Sequence, residues 1–176
     1  PTFAREFRNI SRYQKLGIPA LQAVYFGERK IDGARRAILM TRALDDWSDL
    51  DGLLGLWPTL DISQRQGILR ACGQLARTLH AAGRVHGCFY PKHIFLRERS
   101  DGWLAQLIDL EKTRPLLMGM RDRLKDLEPL LRRAPSWSDA EVRLLLASYL
   151  DQAADGPLVD TWLQRLTRRR REKEAR

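Results

Sequence analysis

Between charged positions, Phe3, Phe7 and Ile10 repeat at helical spacing, which predicts a helix over residues 2–16 that stops at Gly17 and Ile18-Pro19. Residues 21–26 and 37–40 are short, apolar and bounded by turn formers. They predict two strands of a hairpin around the glycine- and charge-rich stretch 27–33. Within 45–60, Leu50, Leu53, Leu54 and Leu56 suggest a short helix ended by Trp57-Pro58. Ser63-x-x-Gln66 has the form of a capping box, and Ile68, Cys72, Leu75 and Leu79 follow it on one helical stripe that ends at Gly83. That stripe makes Cys72 a core residue and His80, beside it, a packed histidine.

Residues 94–96 and 103–108 predict a second hairpin around Arg99-Ser100-Asp101-Gly102, whose Asp-Gly pair is a strong turn signal. A helix is predicted over 121–133, with Leu124, Leu127 and Leu131 on one face and Pro129 as an irregularity. Ser138-x-x-Glu141 caps the next, which carries Val142, Leu145, Leu146 and Tyr149 and breaks at Gly156-Pro157. A last helix begins at Leu158 and carries Trp162 and Leu166 before an arginine run. The chain has neither internal repeats nor a low-complexity linker.

Composition narrows the class. With 176 residues, 44% hydrophobic and 30% charged, the chain is expected to form one ordinary globular domain. No apolar run approaches the roughly 18 residues of a membrane span, and no signal peptide is visible. The start at Pro1, without methionine, suggests further chain upstream. Two cysteines make no disulfide framework and point to a reduced, cytoplasmic setting. With His80, His86 and His93 they match no standard zinc spacing. Net charge is +9, and the segment 165–176 holds seven basic and two acidic residues of it. Such a tail is either a solvated helix end or a surface attracted to anionic lipid headgroups. No aromatic-interleaved basic stripe supports nucleic acid as partner.

The chemistry gathers between the best helix and the second hairpin, at His86-Gly87-Cys88-Phe89-Tyr90-Pro91-Lys92-His93, and again at Leu107-Ile108-Asp109-Leu110-Glu111. The order is helix, histidine-bearing loop, hairpin, aspartate. A hairpin brings its two ends together, so His93 and Asp109 should converge. One nitrogen and one carboxylate there would suit Mg²⁺ or Mn²⁺ beside phosphate oxygens. The alternative is an ordinary hairpin with polar ends.

Protein kinases use this order, with a loop written H-R-D-x-x-x-x-N. His86, Cys88 and His93 keep that spacing, with Cys88 in the aspartate position and His93 in the asparagine position. The loop and the strand ending at Asp109 resemble the lipopolysaccharide core kinase family (the Kdo/WaaP group), InaA-like branch. The resemblance implies an α+β, protein-kinase-like fold. Residues 1–44 would be part of an N-lobe (a helix plus an antiparallel hairpin) with the hinge, 45–164 a mostly helical C-lobe carrying the catalytic-loop hairpin, and 165–176 a basic tail. It implies ATP and Mg²⁺ as cofactors, and phosphorylation of a sugar hydroxyl on a lipid-linked core oligosaccharide at the cytoplasmic face of the inner membrane.

Residue by residue, the resemblance places Glu6 where kinases carry the glutamate that pairs with a phosphate-holding lysine. It places Met40, Arg42 and Leu44 around the adenine, His93 and Asp109 on the metal, and Asp126 as a brace beneath the loop. Residues 110–120, with Lys112 and Arg114, would be a shortened activation segment. The glycine-rich phosphate loop and the lysine of this pattern precede the first helix, whereas Lys30 follows it. A thiol with an ordinary pKa near ~8.5 is mostly protonated at neutral pH, so Cys88 is a poorer proton acceptor than a carboxylate. Glu111 is a replacement carboxylate able to act as base, and His86 is the other candidate, although the resemblance implies that kinase-like folds use this histidine structurally. A second reading keeps the fold without the activity, as a pseudokinase serving as a binding or stress-response module.

Overall fold

The computed structural model describes residues 2–175. Helix α1 (Thr2–Leu16) leads to a two-stranded sheet, β1 (Ala23–Ile31) and β2 (Ala34–Thr41). A short strand β3 (Ser48–Asp49), helix α2 (Leu50–Gly55) and the long α3 (Ile62–Ala81) follow. Strand β4 (Arg84–Val85) opens the histidine loop, β5 (Ile94–Arg99) and β6 (Gly102–Leu107) form the second hairpin, and β7 (Arg114–Pro115) returns to β4. Helices α4 (Met120–Arg132), α5 (Asp139–Leu150) and α6 (Pro157–Glu174) complete the chain. The strands pair antiparallel in three small sheets, β1-β2, β3-β5-β6 and β4-β7, so the architecture is α+β, as expected.

Helix α3 is the axis of the larger part. Its stripe of Ile68, Leu69, Cys72, Leu75, Ala76 and Leu79 is buried in one continuous core with Leu145, Leu146 and Tyr149 of α5. At Gly73 a Cβ would lie 2.4 Å from the Leu145 carbonyl oxygen, so the two helices approach closely only because that side chain is missing. Burial pushes the Cys72 thiol up to about 12, as befits an inert core residue.

The first hairpin is longer than its sequence suggests. The stretch 27–31 is strand, with Glu28 opposite Ala37 and Lys30 opposite Arg35. The turn is confined to Asp32-Gly33, whose φ values of 49° and 79° fit a two-residue type I′ turn. Charge density suggested a loop, but a two-stranded ribbon exposed along its outer face carries charged side chains without cost. The cap of α3 is also displaced. Asp61, not Ser63, is the N-cap: its carboxylate accepts from Gln64 N–H at 2.8 Å, and the Gln64 side chain accepts from Asp61 N–H at 3.2 Å. The predicted box had the right chemistry two residues late. Ser138 and Glu141 cap α5 as expected, and α6 starts at Pro157 and continues as helix through the arginine run.

Candidate active site

Gly83 (φ 69°) ends α3 and turns the chain through β4 to His86. Here Asp126, on α4 and 4% exposed, holds the loop from below. One carboxylate oxygen accepts from His86 N–H at 2.7 Å and the other from Gly87 N–H at 2.8 Å. His80 lies 3.1 Å from the same carboxylate through Nε2 and 2.8 Å from the Tyr149 hydroxyl through Nδ1. A Cβ on Gly87 (φ 80°) would approach the Lys112 carbonyl oxygen to 2.7 Å, so the tight passage between the loop and the 110–112 turn requires glycine.

Hydrogen bonds fix the ring states. His86 Nδ1 accepts from Cys88 N–H at 3.2 Å, so Nε2 carries the proton, donated to the Ile108 carbonyl at 2.9 Å. That ring is neutral, and burial holds its pKa below the usual histidine value, opposed by the Asp126 charge. His93 Nδ1 lies 2.9 Å from the Cys88 carbonyl, which can only accept, so Nδ1 is protonated. Nε2 then faces Asp109 Oδ2 at 3.2 Å. In a neutral ring these are two acceptors pointing at each other. The arrangement calls for a cation: a proton on Nε2, or a metal ion shared by both.

Asp109 sits in the left-handed region (φ 56°, ψ 61°), unusual for any residue but glycine and least so for Asp and Asn. A 3₁₀ turn (Leu110–Lys112) follows. One face of α1 grips that turn. Asn9, 5% exposed, donates its side-chain N–H to the Leu110 carbonyl at 2.7 Å, and Tyr13 hydrogen-bonds Thr113, which donates to Val85 O at 2.8 Å. Glu6 accepts from Leu110 N–H. Burial raises the Glu6 carboxyl above its usual range, the Leu110 bond works against this, and the Asp109 and Glu111 charges add to the rise.

Glu6, Arg42, Leu44 and Asp109 line one cleft of about 480 Å³, together with Leu21, Thr41, Ala43, Phe95 and Ile108. Its walls are mostly apolar and its acids lie on the α1 and β6 sides. Met40 is outside it: 55% exposed, it pairs with Tyr25 in the ribbon. Cys88 is 6% exposed. Glu111, with a third of its side chain exposed, stands 4.0 Å from Arg5. Among the described residues no three His, Cys, Asp or Glu side chains cluster as a metal site, so His93 and Asp109 are a two-donor set. Mg²⁺ commonly binds through one or two carboxylates with phosphate oxygens and water completing its shell; the Asp109 carboxylate fits such a site, with the His93 imidazole a softer donor beside it.

The sequence profile of the lipopolysaccharide kinase (Kdo/WaaP) family matches residues 1–149. The chain belongs to the lipopolysaccharide kinase family. Its family relative protein InaA of Escherichia coli (strain K12) is 30% identical over 117 residues, 65% of this chain and 53% of that protein, so the match spans about half of the relative's length. Among solved structures, WaaP in complex with acyl carrier protein superposes with a TM-score of 0.74 over 94% of this chain and 75% of that one. At 22% identity that likeness establishes the kinase-like fold. The family named from the histidine loop is therefore the correct one.

The motif singled out the loop residues and Asp109, and the family resemblance pointed to Asp126. Neither reached Asn9, Tyr13 and Thr113. The available signal was a polar face on α1, with Glu6, Asn9 and Tyr13 at i, i+3 and i+7 beside the apolar stripe.

Proposed function

We propose that this protein transfers phosphate from ATP, with Mg²⁺, to a sugar hydroxyl of the lipopolysaccharide inner core. The acceptor would be a lipid-linked core oligosaccharide at the cytoplasmic face of the inner membrane. The observation that carries this reading is the opposition of His93 Nε2 and Asp109 Oδ2, one of which lines an apolar cleft of nucleotide size. In this reading residues 1–44 act as N-lobe and hinge and 45–164 as C-lobe.

When bound, the divalent ion neutralises charge on the phosphate oxygens. Asp109 would hold it, with His93 assisting. Leu21, Ala43, Leu44, Phe95 and Ile108 offer the apolar surfaces that take a planar base, with Arg42 at the hinge. Glu6 supplies negative charge for a phosphate-holding cation. Asp126 and His86 fix the loop, and His86 has no free nitrogen with which to act as base. Of the remaining candidates, Glu111 is an accessible carboxylate and Cys88 a buried thiol, so Glu111 is the group assigned to take the acceptor's proton.

Calorimetry of ATP binding with and without Mg²⁺, with a coupled turnover assay, tests these assignments. Asp109→Asn, which keeps a residue tolerant of the left-handed backbone, should abolish metal-dependent binding. Glu111→Gln should leave binding intact and lower turnover by about 10²–10⁴. Unchanged metal-dependent binding by the Asp109 variant sinks the site.

The buried Cys88 in the aspartate position favours a second reading, a pseudokinase that serves as a binding or stress-response module. Nucleotide binding with no turnover by the parent protein, on any core oligosaccharide acceptor, would decide for it.

A further inference from the structure

The segment that leaves the site ends in a loop with an unusual exposure pattern. Leu117, Met118 and Met120 are 79%, 55% and 37% exposed, three large apolar side chains within four residues. Single exposed apolar residues are ordinary, and a floppy loop carrying them would mean little. This loop is pinned. Asp122, 1% exposed, accepts from Leu117 N–H and Met118 N–H, both at 3.0 Å. It also binds the Arg114 guanidinium through both oxygens, at 2.8 and 3.0 Å. At the start of the loop, Leu116 N–H is tied to Gly83 O at 2.8 Å. Four hydrogen bonds to one buried carboxylate thus hold a conformation that turns Leu117 and Met118 out to solvent.

The surroundings of the loop are basic. The Arg165 guanidinium of α6 touches the Met120 sulfur, so the apolar tip and the basic helix form one surface. Arg165, Arg168 and Arg169 line a groove with Leu124 of α4, and Arg121 and Lys125 are exposed on α4 itself. The acid lining that groove is Glu172, already engaged by Arg168 at 3.3 Å. An apolar tip flanked by cations matches the two layers of an anionic bilayer: hydrocarbon for the tip, phosphate headgroups for the flanking cations.

We propose that the 116–120 loop and the exposed basic face of α4 and α6 form a membrane-docking surface for anionic phospholipid, with Leu117 and Met118 as the inserted side chains. The surface stands on its own observations, and its test uses no nucleotide, so its failure would leave the phosphotransfer reading untouched.

The test is sedimentation of the full chain with phosphatidylcholine vesicles, plain or containing about one-third phosphatidylglycerol. The parent should bind the anionic vesicles, release from them in high salt, and ignore the neutral ones. Leu117→Ser/Met118→Ser should weaken binding by roughly tenfold or more, and Arg165→Gln/Arg168→Gln by a similar factor. The substituted side chains are exposed, so the thermal midpoint of each variant should stay at the parent value. Ile38→Ser, on the bare face of the first hairpin, should bind like the parent. Absence of binding to anionic vesicles overturns the proposal, and so does undiminished binding by the loop variant. A third overturning result is capture of an acidic carrier protein, lost on the same substitutions, without any vesicle binding.

Discussion

A histidine with no exposed surface and both ring nitrogens committed, like His86, takes up a proton only when its loop comes apart. Burial lowers its folded pKa below the ordinary 6.5. The sign follows from linkage. Above about 6.5 both folded and unfolded chains hold the ring neutral, and the loop's contribution is present in full. As pH falls through that value the unfolded chain binds a proton that the folded chain refuses, and stability declines by up to about 1.4 kcal/mol per pH unit. Urea midpoints measured between pH 7.5 and 5.5 should therefore fall, and in a His86→Gln variant the fall should be shallower. An equal slope in both proteins would assign the proton elsewhere. The residue itself was legible because a loop motif names it. The family resemblance also implied a structural role, whereas the two backbone groups that carry it, Cys88 N–H and Ile108 C=O, are brought to the ring only by the fold.

At the scale of elements, α1 does two jobs on two faces. Phe7 stacks on Phe26 of β1 with ring centroids 4.4 Å apart, tying the helix to the ribbon. The face with Glu6, Asn9 and Tyr13 clasps the turn after Asp109. The apolar face was visible as a period. What the polar face contacts was not, since Asn9 and its partner Leu110 are 101 residues apart in sequence. The hairpin was predicted but its strands were read too short, for a different reason: with two strands and little burial, the sequence lacks the alternation that marks a half-buried sheet. Replacing Asn9 by leucine keeps the size but leaves the Leu110 carbonyl without its donor in a buried position. The expected loss is about 1–3 kcal/mol in denaturant unfolding. Because Leu110 follows Asp109, metal-dependent nucleotide affinity should drop as well. Stability lost with affinity retained would mean that α1 supports the fold and does not position the aspartate.

At the scale of the whole molecule, the N-terminal elements share the continuous core through Ile10, Tyr13 and Ile18 and are tied to the rest by specific hydrogen bonds. Leu107 N–H donates to Pro19 O at 3.1 Å, Leu21 N–H to Leu107 O at 2.9 Å, and α1 grips the 110–113 segment. The cleft lies across this seam, with Leu21, Thr41 and Leu44 from one part and Phe95, Ile108 and Asp109 from the other. A ligand that fills it contacts both parts, so its binding free energy stabilises their association, by about 2.7 kcal/mol at a hundred times its dissociation constant. Hydrogen exchange gives this a pattern. With ATP and Mg²⁺ saturating, amides at Leu21, Arg42, Leu107 and Leu110 should exchange more slowly together, because all four sit on the seam or its hinge. Amides in the middle of α5 should keep their rates, since they open only with the core around Leu145 and Leu146. Protection confined to the hinge would mean that the nucleotide rests on one part alone, and the assignment of Asp109 to the same site would fall with it.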